Sequence, residues 1–203
     1  MKKMLVIIAM FSFIVAGEMG LSAYGGVNMA SISGDPGTGT TKSMKPGVIL
    51  GVQYSLSPVI LGAGISMRGS KSETTTSEAT SNITMSFMYL DLSAIYPYAL
   101  GPGRVWAGLD IGINLSAKSE GEMKVTGTTC AVMQALDLPC SETTSTDLED
   151  VAMDYGLVLG YTYPINETMG VSASYYMGLA EITADSKSKH NGIGLGFSYS
   201  LPL

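Results

Sequence analysis

The chain has 203 residues, including 25 glycines and 11 tyrosines, and only 14% of it is charged, which is one domain's worth of sequence composed for strands more than helices. Its formal net charge of −6 leaves little to neutralise phosphates, and no basic patch offsets it, so nucleic acid is excluded as a partner.

The first residues read as a secretory leader. Lys2 and Lys3 precede the apolar run Met4 to Val15, and the small residues Ala16 and Gly17 follow. Cleavage after Gly17 is expected, leaving residues 18–203 as the mature domain with a net charge of −8. No cysteine stands near that bond, so a lipid-modified N-terminus is not expected. No later stretch reaches the roughly eighteen consecutive apolar residues of a membrane helix. Any membrane insertion must therefore be by strands.

Eight segments then show period-two alternation. The first, Leu21 to Ser33, is the least regular. The second, Val48 to Leu56, and the third, Val59 to Arg68, are joined by a tight turn at Ser57-Pro58, where proline removes no ladder bond. In the fourth, Ile83 to Tyr98, the alternation changes phase: Ile83, Met85 and Phe87 begin the apolar set, but Leu90, Leu92, Ala94 and Tyr96 continue it. A bulge near Tyr89 would allow this. The fifth, Arg104 to Ser116, is the clearest. Val105, Ala107, Leu109, Ile111, Ile113 and Leu115 form one face, and Trp106, Gly108, Asp110, Gly112, Asn114 and Ser116 the other. It is about as long as a tilted strand needs to be to cross a hydrocarbon layer. The sixth runs from Val151 to Tyr163, the seventh from Gly170 to Leu179, and the eighth from Gly192 to Leu201.

Links after the second, fourth and sixth segments are short, whereas those after the first, third, fifth and seventh are longer and polar. This is the pattern of an up-and-down barrel with tight periplasmic turns and longer outside loops. The even-numbered segments end in Tyr54, Tyr96 and Tyr98, Tyr161 and Tyr163, and Phe197 and Tyr199, rings suited to a membrane boundary. A soluble lipocalin-like barrel or sandwich would show the same alternation with its apolar face inward. Against it, the polar faces hold glycine and serine instead of Lys and Glu, and the charges gather in the long loops. The reading is an all-β, eight-stranded antiparallel up-and-down transmembrane β-barrel.

The segments Tyr89-Leu-Asp-Leu-Ser-Ala-Ile-Tyr-Pro-Tyr98, Ala173-Ser-Tyr-Tyr-Met-Gly-Leu179 and Gly194-Leu-Gly-Phe-Ser-Tyr-Ser200 resemble strands of the small outer-membrane β-barrel proteins grouped as PorT-like or OmpX/OmpA-like. The resemblance covers nearly the whole mature chain and lies in strand pattern. It implies residence in the outer membrane of a Gram-negative bacterium, with outer-membrane lipid as the constant partner.

Candidate functional residues fall in three groups. Arg68, Asp91, Asp110 and Asp154 lie on inward faces, where a charge must be paired or hydrated, so a structural ion cluster is expected and an ion or proton path is the rival. His190 opens the eighth segment near the outer rim, beside Asp185, Ser186 and Ser188. It is expected to be a solvated loop histidine, the rival being a rim-located lipid hydrolase with a serine nucleophile. The long loop from about Lys118 to Asp150 contains Cys130 and Cys140, the only cysteines, and a local disulfide is expected between them. Between them Val132, Met133, Leu136 and Leu138 could line a short clamped helix, either as a partner-binding patch or as a plug for the barrel mouth. The loop from Ser70 to Ser81 is expected to be mobile, and Glu142 to Asp150 to form a hydrated stem. No cofactor and no metal site are expected. The functional expectation is a non-catalytic structural or surface-interaction protein, adhesin-like, with a surface or envelope protein as possible partner; a narrow solute channel is the first alternative.

Overall fold

A computed structural model describes residues 20–34, 39–149, 151–182 and 188–202, so the expected leader lies outside the described residues. Among the described residues nine strands and one helix follow in order: β1 (Leu21–Ile32), β2 (Thr40–Leu56), β3 (Val59–Thr75), β4 (Ala79–Leu100), β5 (Gly103–Val125), α1 (Gly127–Ala135), β6 (Ser141–Asp147), β7 (Asp154–Pro164), β8 (Met169–Gly178) and β9 (His190–Ser200). Each strand pairs antiparallel with its neighbour, β1 closes on β9, and β4 with β5 completes a ring of eight: β1-β2-β3-β4-β5-β7-β8-β9. β6 stands outside the ring and pairs only with the upper part of β5.

The two faces are sorted inside out. Leu50, Leu109 and Leu195 are 63%, 57% and 61% exposed, whereas Ser66 and Asp154 are buried in the lumen. Water would penalise such a surface, and lipid would not. The short-turn end carries Ser57-Pro58, Gly101-Pro102 and residues 165–168. Gly101 adopts a left-handed backbone (φ 60°), as the tight β4–β5 reversal requires. Exposed Tyr96, Tyr98, Tyr163 and Phe197 ring that end.

The phase change in β4 has a different cause from the one expected. A register shift does lie between Met88 and Tyr89, but the extra residue is Leu115 of the partner strand: Met88 faces Ser116 and Tyr89 faces Asn114. β4 therefore keeps its alternation, and Phe87 points inward with Tyr89 and Asp91. Phe87 is apolar because the upper lumen is apolar. It packs there in a cluster with Ile32, Tyr89, Ala117 and Ile182. Beyond the bulge the inner face of β5 passes from Asp110 and Gly112 to Ala117, and Ser116 is exposed.

The loops also differ from expectation. β4 and β5 are 22 and 23 residues long, about twice what crossing a hydrocarbon layer needs. Together with the starts of β2 and ends of β3 they continue above the ring as a sheet. Ser70 to Thr75 and Ala79 to Ser81 are paired strand instead of loop, reversing at residues 76–78. The expected stem is strand β6 over Ser141–Asp147, and Leu148 and Val151 turn in against the apolar cluster, so β7 starts only at Asp154. Both faces of this extension are polar or mixed, so hairpin pairing holds these strands and no buried apolar face marks them.

Candidate functional site

The lumen residues come from four adjacent strands. Asp91 of β4 and Asp154 of β7 both lie opposite Gly112 of β5, so three strands place two carboxylates on one row, with a glycine between them. A Cβ at Gly112 would press within 3.1 Å of Asp91 Oδ1 and of the Tyr89 ring; the glycine leaves room for the charges. Arg68 of β3 reaches into this row, and Asp110 of β5 sits just below it.

The guanidinium is almost fully used. Arg68 Nη2 donates to Asp91 Oδ1 at 2.7 Å, Nη1 donates to Asp154 Oδ2 at 2.6 Å, and Nε donates to Ser66 Oγ at 3.1 Å. Asp110 Oδ2 stands 3.5 Å from Nη2. The ring of Tyr176 lies 4.2 Å from the guanidinium carbon and that of Tyr89 5.1 Å, so the cation is also faced by aromatic π-density. All four expected lumen residues thus meet in one knot. In the buried environment the charge-assisted bonds to Asp91 and Asp154 are strong.

His190 is not a loop residue. It is 1% exposed, inside the lumen, edge-on to Phe87 and Tyr89 at ring-centroid distances of 5.0 and 5.7 Å. Its Nδ1 lies 3.2 Å from Asp154 Oδ2, but out of line for a hydrogen bond, and neither ring nitrogen has a hydrogen-bond partner. The register carries it there: β9 pairs His190 with Ile32 of β1, whose side chain is also inside. Of its sequence neighbours, Asp185 and Ser186 fall outside the described residues, and Ser188 makes a backbone bond to Ile182.

Ser66 and the rings of Tyr89 and Tyr176 complete the knot, and the sequence reading assigns none of them to it. The signal was available for Tyr176, which interrupts a face otherwise made of glycine and serine. Tyr24 lies over Gly51 and Gly64, and Tyr176 over Gly156, so small residues on neighbouring strands accommodate the large rings. Below the knot, toward the short-turn end, the lumen opens into a cavity of about 310 Å³ lined among others by Asn28, Ser93, Trp106, Asp110, Thr162 and Ser174. Trp106 Nε1–H donates to Thr162 Oγ1 at 3.0 Å. Among the described residues no three His, Cys, Asp or Glu side chains are placed to hold a metal ion.

At the far end, Cys130 and Cys140 form the expected disulfide, with Cα atoms 5.3 Å apart. Cys130, Val132 and Met133 lie in α1, while Leu136 and Leu138 follow its end, where Asp137 turns the chain with a left-handed φ of 57°. Val132, Leu136 and Leu138 are 55%, 66% and 49% exposed and Met133 is half-buried. They do not plug the mouth; Leu148 and Val151 pack there instead. The loop is tied to the extension by Val125 N–H donating to Cys140 O, Thr126 N–H to Glu78 O, and Thr129 Oγ1 to Glu78 Oε2.

No curated protein matches the sequence. Among solved structures, Neisserial surface protein A (NspA) is similar with a TM-score of 0.55 at 10% identity, over 89% of this chain and 97% of that one. Ail, the attachment invasion locus protein of Yersinia pestis, gives 0.49 at 13% identity, over 91% and 100%. Residues 6–200 match the family model of the outer membrane protein beta-barrel domain. A closed ring of eight antiparallel strands, apolar outside and polar within, agrees with that match over nearly the whole chain: the protein belongs to the outer membrane protein beta-barrel family and resides in the outer membrane of a Gram-negative bacterium.

Proposed function

We propose that the protein is a non-catalytic surface-interaction barrel, adhesin-like, that displays the disulfide-clamped loop outside the cell on the strand extension, with its short turns in the periplasm. The observation that carries this reading is the exposure of Val132, Leu136 and Leu138 on a segment fixed at both ends by the disulfide and by hydrogen bonds to Glu78 in the β3–β4 turn and to Val125 at the end of β5. An apolar patch costs free energy in water unless something covers it, and pre-ordering reduces the entropy lost when a partner does. The partner is a host-surface or envelope protein offering an apolar pocket.

Cells displaying the protein should adhere to an epithelial monolayer, and Val132→Ser with Leu136→Ser should reduce that adherence about tenfold, the effect of losing a central apolar anchor. Equal adherence at equal surface display would overturn the reading. The channel alternative requires Arg68, Tyr89 and His190, all deeply buried, to move aside. It predicts planar-bilayer conductance that changes in Asp110→Asn. The hydrolase alternative loses its support with the burial of His190 away from the outer rim.

A further inference from the structure

The lower lumen has two unlike walls. The ring of eight sets the arc β3-β4-β5 across from the arc β7-β8-β9. Below Ser93 and Asp110, the side chains that the first arc turns inward are apolar down to Arg104 at the mouth: Ile60 and its register partner Ile95, then Pro97 and its partner Trp106. Below Val158 and Tyr176, those of the second arc are hydroxyls set among glycines: Thr162 beside Ser172, with Ser174 above and Ser198 below. Ile60, Pro97, Trp106 and the four hydroxyl residues are part-exposed, and all line the 310 Å³ cavity. Trp106 lies over Gly160, where a Cβ would strike its ring, and its Nε1–H is held by Thr162. One face of the indole thus rests on the wall, and the other is left to the cavity. Ser172 and Ser174 stand over Gly196 and Gly194, where a Cβ would come within 2.9 and 2.6 Å of their hydroxyl oxygens. Glycines therefore hold open a lumen that, in an eight-stranded barrel, side chains otherwise fill.

The volume is about that of ten waters in the liquid. Water alone would satisfy the hydroxyl wall but not the apolar one. Among the described lining residues, charge is confined to the two ends: Arg68, Asp91 and Asp110, with His190, at the ceiling, and exposed Arg104 at the mouth. A charged ligand seated between them would be desolvated without a partner beside it. Both walls suit a compact uncharged molecule with one apolar face and a rim of hydroxyls that donate and accept. A pyranose ring has this form, with C–H groups on its face and hydroxyls at its edge. We propose that the lower lumen is a one-ended vestibule, entered from the short-turn end, that binds an uncharged monosaccharide, its ring face on Trp106 and its hydroxyls on Thr162, Ser172 and Ser174.

Trp106 is the single tryptophan of the chain, so its emission reports the cavity directly. The refolded protein, in micelles of a detergent without a sugar headgroup, is titrated with D-glucose, D-galactose, D-mannose and N-acetyl-D-glucosamine. A saturable change in emission is expected with at least one of them, with half-saturation on the order of 1 mM. Ser172→Ala combined with Ser174→Ala should weaken the apparent affinity for that sugar about tenfold, because hydrogen bonds are lost while the indole and its bond to Thr162 are untouched. Glycerol, which has hydroxyls but no ring face, should give no saturable change. Folding of each variant is checked by its heat-modifiable electrophoretic mobility. Should the double variant not fold, Ser174→Ala alone carries the comparison, with a loss of about fivefold. No saturable change with any of the sugars, an equal affinity in the folded variant, or an equal response to glycerol would each overturn the proposal.

Discussion

At Arg68 one side chain holds together groups that repel each other. Asp91 and Asp154 come from different strands onto one row, and the guanidinium between them bonds each at hydrogen-bond distance. Removing one partner of a buried ion cluster leaves uncompensated charge in a low dielectric and costs about 3–5 kcal/mol, whereas replacing all partners with neutral groups costs far less. Arg68→Met should therefore lower the stability of the micelle-embedded barrel by about that amount, read as a shift of the urea midpoint. Combining it with Asp91→Asn and Asp154→Asn should return most of the loss. A single variant as stable as the parent would mean that the carboxylates are already neutral or hydrated without Arg68. Lysine is not an adequate substitute, because its ammonium lacks the fork that serves Ser66, Asp91 and Asp154 at once.

At the scale of elements, the bulge at Leu115 separates two regimes of β5. Leu115 is unpaired, outward and part-exposed, and the residues on either side keep their faces across it: Asn114 opposes inward Tyr89, and Ser116 opposes outward Met88. Deleting Leu115 should thus regularise the ladder without turning any other side chain over, and the folded electrophoretic mobility should survive. Deleting Ile111, four residues earlier, shifts a paired stretch by one and would send Asp110 toward lipid and Leu109 into the lumen, so that variant should fail to fold. Failure of both, or survival of both, would show that the bulge does not set the register. The same strand shows what was legible in the sequence. Where one face meets lipid, as from Val105 to Ile113, alternation identifies the strand, its tilt-crossing length and its inward residues, and hence all four charges of the knot. Above the bulge both faces of Lys118 to Val125 meet water, and alternation disappears although the strand continues. His190 and Phe87 were misplaced for a related reason: a polar and an apolar side chain share one interior, because the upper lumen is filled by an aromatic cluster instead of water.

For the whole molecule, the two ends are built differently. One end has three tight turns ringed by tyrosine and phenylalanine; the other rises through β3, β4, β5 and β6 to a clamped helix. The charges are divided the same way. Every described lysine, from Lys42 through Lys189, lies at the extended end, and the Lys118 side chain is 58% exposed beside Asp147. Outer-membrane barrels as a class carry their long strands and loops on the outer side and tight turns in the periplasm. A membrane-impermeant amine reagent tests this orientation, because the short-turn end offers no lysine among the described residues and contributes no background. In intact cells Lys118 and Lys124 should be modified to the same extent as in detergent-solubilised protein. Modification only after the outer membrane is broken would place the extension in the periplasm. The disulfide loop would then face the periplasm, and the surface-interaction reading would fall.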